Sequence, residues 1–229
     1  MENDKSNKKE IMEKLTIGLL IATIFIMIFN VVNVGKLKNI ETSSEIPKLN
    51  TNIQTVKSVP SIDVLPKGIP KIYGSELGVK YDDVSGSNLQ KAEDTIGRLG
   101  TLDKEISLSG EDKNRYISIA SRISCEYCCG TDSIIFASGE PACGCSHSFA
   151  MRGIAKYLIK YHGKEFSDDG ILEEMGKWKT LFFPDKLSQK AGILKSNGIE
   201  LNYINLASNK YRDIEKGAEN SNSQMVGGC

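Results

Sequence analysis

Histidine and tryptophan are scarce in this chain: among 229 residues there are two histidines, His147 and His162, and one tryptophan, Trp178. No Ser-His-Asp signature and no Gly-rich phosphate loop can be traced, and no internal repeat is evident, so triad hydrolases, P-loop ATPases and solenoids are not suggested. Charge of one sign is missing too. Lys and Arg number 29 against 29 Asp and Glu, with no basic stripe, which argues against a nucleic-acid partner. Trp178, Phe182 and Phe183 read as core rather than as a binding box.

Cysteine is what the chain does have. Of its six cysteines, five fall between positions 125 and 145, as Cys125-Glu-Tyr-Cys128-Cys129 and, thirteen residues on, Cys143-Gly-Cys145-Ser-His147. The sixth, Cys229, is the last residue of Gln-Met-Val-Gly-Gly-Cys. Disulfides, thiol redox chemistry and soft-metal ligation are what such a set of thiols can support, and the function is expected there.

The second informative feature is the run LTIGLLIATIFIMIFNVVNV, Leu15 to Val34, twenty residues without a charge. At 1.5 Å per residue it is about 30 Å long, matching a bilayer hydrocarbon core. No convincing cleavage site follows at Asn33-Val34-Gly35-Lys36, so the run is read as a retained transmembrane anchor. Lys5, Lys8, Lys9 and Lys14 precede it. The lysine bias predicts a cytoplasmic N-terminus (1–14), an anchor (15–34) and an extracytoplasmic remainder in the cell membrane. Residues 35–85, with Pro47, Pro60, Pro66 and Pro70, read as a tether, and 86–229 as a Cys-rich helical domain.

Periodicity makes that domain mainly α. Asn88 to Leu99 is a first helix. Ser109-Gly-Glu-Asp112 resembles a capping box opening a helix through Tyr116, Ile119 and Ile123 that delivers Cys125 at its end. Residues 130–142 form a loop or short strand around Ile134-Ile135-Phe136. Ser146 or Ser148 caps the next helix, striped by Ala150, Ile154, Tyr157, Leu158 and Tyr161 and ended by Gly163. Ser167 caps a third, bearing Ile171, Met175, Trp178 and Phe182. Pro184 begins a fourth, stopped at Asn197-Gly198. Ile199 to Leu206 is expected as a strand. Cys145 and His147 therefore sit near a helix N-terminus, where free N–H groups and the dipole favour thiolate. Arg152, one turn on, either adds positive charge or is an ordinary exposed residue. His162, at a helix C-terminus, reads as structural.

Three uses of the thiols follow. A C-x-x-C turn and a C-x-C turn complete a four-thiolate tetrahedron, for which Cys125, Cys128, Cys143 and Cys145 are the simplest Zn²⁺ set. Cys129, His147 and Cys229 are surplus to it, and surplus soft ligands, with Met151 and Met225 close in sequence, point to Cu(I) or a multinuclear thiolate site. Thiol–disulfide exchange is the second use, with Cys143-Gly-Cys145 the better exchange pair. A disulfide framework between the two loops is the third.

Pro141-Ala-Cys143-Gly-Cys145 followed by His147 resembles the signature of the PCYCGC-motif family of membrane-attached bacterial proteins, with Pro141 where that motif has its first cysteine; the resemblance implies metal binding. Cys145 through Ala150, Arg152, Leu158, Gly163, Ser167-Asp168 and Ile171-Leu172-Glu173 also resembles the helical hairpin of the thiol-reducing subunit of cytochrome c maturation, which implies membrane-anchored thiol chemistry. Pro141-x-Cys143-x-x-x-His147 is similar to part of the [2Fe–2S] site of CDGSH-type proteins, and would imply an iron–sulfur cluster.

The expectation is a single-pass, extracytoplasmic, mainly helical soft-metal-binding protein that stores or delivers metal or assembles the metal site of a partner membrane protein. Its metal ligands are drawn from Cys125, Cys128, Cys129, Cys143, Cys145, His147 and Cys229, and no catalytic residue is assigned. A membrane-anchored thiol–disulfide oxidoreductase is the alternative, and a disulfide-stapled accessory subunit the third.

Overall fold

In the computed structural model of the chain, the structure describes residues 62–216 and 225–228. The anchor expected at 15–34, the first part of the tether, and Cys229 lie outside the described residues. No helix among those described is long and apolar enough to cross a membrane.

The described part is helical: α1 (Gly74–Leu77), α2 (Leu89–Glu105), α3 (Gly110–Ala120), α4 (Ser146–His162), α5 (Asp168–Phe182), α6 (Pro184–Ser196) and α7 (Tyr203–Ala207), with short 3₁₀ turns at Tyr81–Asp83 and Asn209–Tyr211. No strand occurs among these residues. Ile123 with Ser208 and Ile135 with Pro141 make isolated bridges only.

Helices α2 and α4 form the most extensive pairing, and two glycines permit it. The buried face of α2 is Ala92, Thr95, Ile96, Leu99, Gly100 and Asp103, a 3-1-3-1-3 spacing on one helical stripe. A Cβ on Gly153 of α4 would lie 2.0 Å from the Leu99 carbonyl oxygen, and one on Gly100 3.3 Å from the Phe149 Cβ. The two backbones thus touch directly, which any larger residue at 153 would prevent. Helix α5 packs on α4 through Ile171, Leu172, Met175, Trp178 and Phe182, all at 1% exposure or less. A smaller cluster of Leu187, Ala191, Leu194, Leu206 and Ala207 seats α6 and α7.

Several local expectations are corrected. The tether reading fails for residues 62–85. Tyr73, Val79, Tyr81 and Val84 are core residues, and the Tyr73 and Tyr81 hydroxyls both donate to Glu174 Oε2, at 2.7 and 2.6 Å. The prolines there shape a wrapping segment instead of a spacer. Helix α2 runs on to Glu105, past Leu99, because Gly100 and Asp103 continue its buried stripe. Ser109 occupies the N-cap of α3, but its side chain makes no capping bond, and α3 stops at Ala120, so Cys125 lies beyond it in a loop. Gly163 ends α4 with φ −61°, not left-handed. The strand expected over Ile199–Leu206 is helix α7 in its second half. Asn202 caps that helix by accepting from Asn205 N–H at 2.8 Å, and the Tyr203 carbonyl presses against Gly176 of α5. Ser167 as N-cap of α5, Pro184 at the start of α6 and Asn197-Gly198 at its end stand as read.

Candidate thiolate site

Both cysteine loops are held by named bonds. In the first, the Cys125 carbonyl accepts from the N–H groups of Cys128, Cys129 and Gly130 at 3.1 to 3.3 Å, a tight turn closed by Gly130 at φ +67°. That turn lifts Cys128 and Cys129 back over Cys125. Residues after α7 clamp it from outside: Asn209 Nδ2 donates to the Ser121 and Asp132 carbonyls, and Arg212 to those of Gly130 and Thr131.

The second loop is held by Arg152. Its side chain is fully buried, its Nε sits 2.7 Å from Asp103 Oδ2, and its Nη1 donates to the carbonyls of Cys143 (2.9 Å) and Ile134 (3.2 Å). Neither sequence reading of Arg152, an activating charge or an exposed residue, fits. It is a buried tie between α2, α4 and the Cys143 loop. The N-cap of α4 is Cys145 itself rather than Ser146 or Ser148: its Sγ accepts from the Ser148 N–H at 3.4 Å. Sulfur thus takes the place of the usual capping oxygen, at the positive end of the helix dipole.

The sulfurs converge. The Sγ atoms of Cys125, Cys128, Cys129 and Cys145 all lie within 4.8 Å of one another, close enough to bind one metal ion. Cys143 belongs to the same cluster, 3.4 Å from Cys145 Sγ, but it is joined to Cys129 in a disulfide. Cys128 is disulfide-bonded as well, whereas Cys125 and Cys145 are buried thiols. Burial grades across the site: Cys125 is sealed, Cys128 is half-buried and Cys129 is exposed. The expected set of Cys125, Cys128, Cys143 and Cys145 therefore comes together with one exchange, Cys129 standing in the four-sulfur group where Cys143 was expected. Three consecutive N–H groups bonded to one carbonyl wrap the turn far enough for both Cys128 and Cys129 to face inward.

The Sγ atoms of Cys125 and Cys145 lie 3.4 Å apart. The hydrogen bond from Cys125 is the main influence holding the Cys145 thiol well below its ordinary range, with His147 and Ser148 adding to it against the opposing effect of burial. The same bond, and then burial, pushes the Cys125 thiol far up. One thiolate and one thiol result, in the lowest-cost arrangement for two buried sulfurs.

His147 is fully buried between Phe182 and Phe183, with ring centroids 4.9 and 5.0 Å away, and its Nε2 lies 2.8 Å from the Val226 carbonyl. It is not part of the four-sulfur group. Its buried Nδ1 makes no hydrogen bond. The described tail residues 225–228 lie over this end of α4. Val226 is 2% exposed and its N–H donates to the Phe182 carbonyl at 2.9 Å, while Ser146 Oγ donates to the Gly228 carbonyl. Met151 is core and Met225 is at the surface. His162 bridges Glu76 (3.0 Å) and Glu165 (2.9 Å) away from the cysteines, the structural role expected of it.

The sequence reading missed a buried charge cluster behind Cys125. Glu126 Oε1 is 2.9 Å from Lys179 Nζ and 3.6 Å from Lys190 Nζ, and Glu215 Oε2 is 3.8 Å from Lys190. Burial opposes the Glu126 carboxylate, but Lys179 and Lys190 outweigh it and hold its pKa below the usual value. The one available signal was Lys179 itself, which interrupts the apolar run Trp178 to Phe183. A comparison with protein-family models finds no match, and comparisons with curated proteins and with solved structures find none either.

Proposed function

We propose that the chain is a membrane-anchored soft-metal-binding protein whose metal, Cu(I) or Zn²⁺, is held by Cys125, Cys128, Cys129 and Cys145. The observation that carries this reading is the mutual approach of those four Sγ atoms to within 4.8 Å. A tetrahedron with metal–sulfur bonds of about 2.3 Å has edges of about 3.8 Å, so the four sulfurs need only small side-chain adjustments to enclose an ion. Four thiolates select a soft or borderline ion over Mg²⁺ or Ca²⁺. Bound there, the ion would neutralise thiolate charge that the buried site otherwise limits to one.

Loading requires the reduced state, because Cys128 and Cys129 are oxidised in this structure and only thiolates ligate. The exposed Cys129 edge offers an entry path, and Cys125 and Cys145 form the inner wall. Storage of the ion, or its delivery to the metal site of a partner membrane protein, is the role that an anchor at 15–34 serves. The test is metal content, with a free-thiol count, on the full-length chain purified without oxygen and again in air. About one soft-metal ion per chain in the anaerobic sample, lost together with free thiols in air, supports the proposal. Metal-free protein with all thiols reduced refutes it.

A further inference from the structure

The same sulfurs carry a second chemistry that does not depend on metal. We infer that Cys145 transfers a disulfide within the molecule, between the surface-facing pair Cys129–Cys143 and the buried pair Cys125–Cys145. Its Sγ stands 3.4 Å from the Cys143 sulfur of the bridge and 3.4 Å from the Cys125 sulfur.

The exchange balances without any outside reagent. Cys145 thiolate attacks Cys143 Sγ. The Cys143–Cys145 bond forms, the Cys129–Cys143 bond breaks, and Cys129 leaves as thiolate. Cys125 then gives up its proton, which the Cys129 thiolate takes up, and attacks Cys145 Sγ. The Cys125–Cys145 bond forms and Cys143 leaves as thiolate. Among Cys125, Cys129, Cys143 and Cys145, one disulfide, one proton and one negative charge are present before and after. The intermediate bridge, between cysteines one residue apart, is strained, which favours the second step. In-line attack would hold Cys129 Sγ farther from Cys145 Sγ than the 4.8 Å limit of the group allows. The trajectory therefore opens when the Cys129 side chain, which faces solvent, turns outward.

The consequence is a port and a store. Cys129 can exchange with a thiol of another molecule, while Cys125, with no exposed surface, cannot. Oxidation captured at the surface moves inward through Cys145, and reduction travels the opposite way.

The test uses the full-length oxidised chain, held at neutral pH without oxygen or added thiol. Samples are quenched in acid, alkylated and mapped for bridged peptides. The expected result is a Cys125–Cys145 bridge in more than roughly 1% of molecules, within about a hundredfold of the starting bridge, with Cys129 and Cys143 labelled to match. Cys125→Ser should stop at a Cys143–Cys145 bridge, and Cys145→Ser should keep Cys129–Cys143 with no bridge to Cys125. A wild-type protein that keeps Cys129–Cys143 throughout, with Cys125 and Cys145 fully labelled, overturns the inference. So does migration that persists in Cys145→Ser. Neither result bears on metal binding by the reduced protein, so the two proposals fail separately.

Discussion

Replacing Arg152 by methionine should unfold the site before it touches a single cysteine. The guanidinium is fully buried and tied to Asp103 at 2.7 Å, and Asp103 is itself only 3% exposed. Removing one partner of a buried ion pair costs about 3–5 kcal/mol, most of it from the charge left behind. Here Lys156 still reaches Asp103 Oδ1 at 2.7 Å, which places this share near 3 kcal/mol or below. The Ile134 carbonyl keeps a second donor, the Ala142 N–H at 3.1 Å, but the Cys143 carbonyl loses its partner, for about 1 kcal/mol more. The total is about 4 kcal/mol. With a urea slope of about 2 kcal/mol/M, the unfolding midpoint falls by about 2 M at constant slope. Adding Asp103→Leu, which removes the stranded carboxylate, should recover part of that loss. A midpoint shift below about 0.5 M, or a double variant weaker than Arg152→Met alone, would refute the account of Arg152 as the tie holding the second cysteine loop.

Two glycines give opposite outcomes under one substitution. Gly153→Ala drives a Cβ into the Leu99 carbonyl and should cost at least about 3 kcal/mol in chemical denaturation, whereas Gly97→Ala, at an exposed mid-helix position with open space around it, should gain about 0.5–1 kcal/mol. Equal effects at the two positions would contradict the close crossing of α2 and α4. His162 should make stability pH-dependent. Burial opposes its charged form, but Glu165 and Glu76 outweigh that and raise its pKa, so its contribution is complete below the unfolded value near 6.5 and fades as pH climbs through the folded one. Thermal melts should therefore lose stability above about pH 6.5, and His162→Gln should flatten that stretch of the curve; an unchanged slope would contradict the assignment.

Much of the helical scaffold is legible in the sequence because its signals are local. Ser167, Pro184 and Asn197-Gly198 act through their own backbone neighbours, and the stripes of α2 and α5 repeat at the helical period. What the sequence concealed depends on contacts between distant segments. The prolines at 66 and 70 look like a spacer, yet Tyr73 and Tyr81 find Glu174 about a hundred residues away. Ile199–Leu206 has strand-like residues, but no partner strand is present among the described residues, and the close approach at Gly176 selects a helix. At the site, the spacing of C-x-x-C-C and C-x-C gave the right neighbourhood. It could not distinguish Cys129 from Cys143 as the fourth sulfur, because that depends on how far the Cys125 turn winds. Arg152, polar and mid-helix, reads as exposed until Asp103 is seen opposite it.

The central claim, that four particular sulfurs hold the metal, is tested most directly by titrating the fully reduced full-length chain with Cd²⁺ and following the sulfur-to-metal absorption band. The account predicts one tight site, retained in Cys143→Ser because that sulfur lies outside the four. In Cys125→Ser and in Cys129→Ser the affinity should fall by about tenfold or more, since each removes a ligand. Unchanged binding in Cys125→Ser, or loss of binding in Cys143→Ser with Cys129→Ser unaffected, would contradict it.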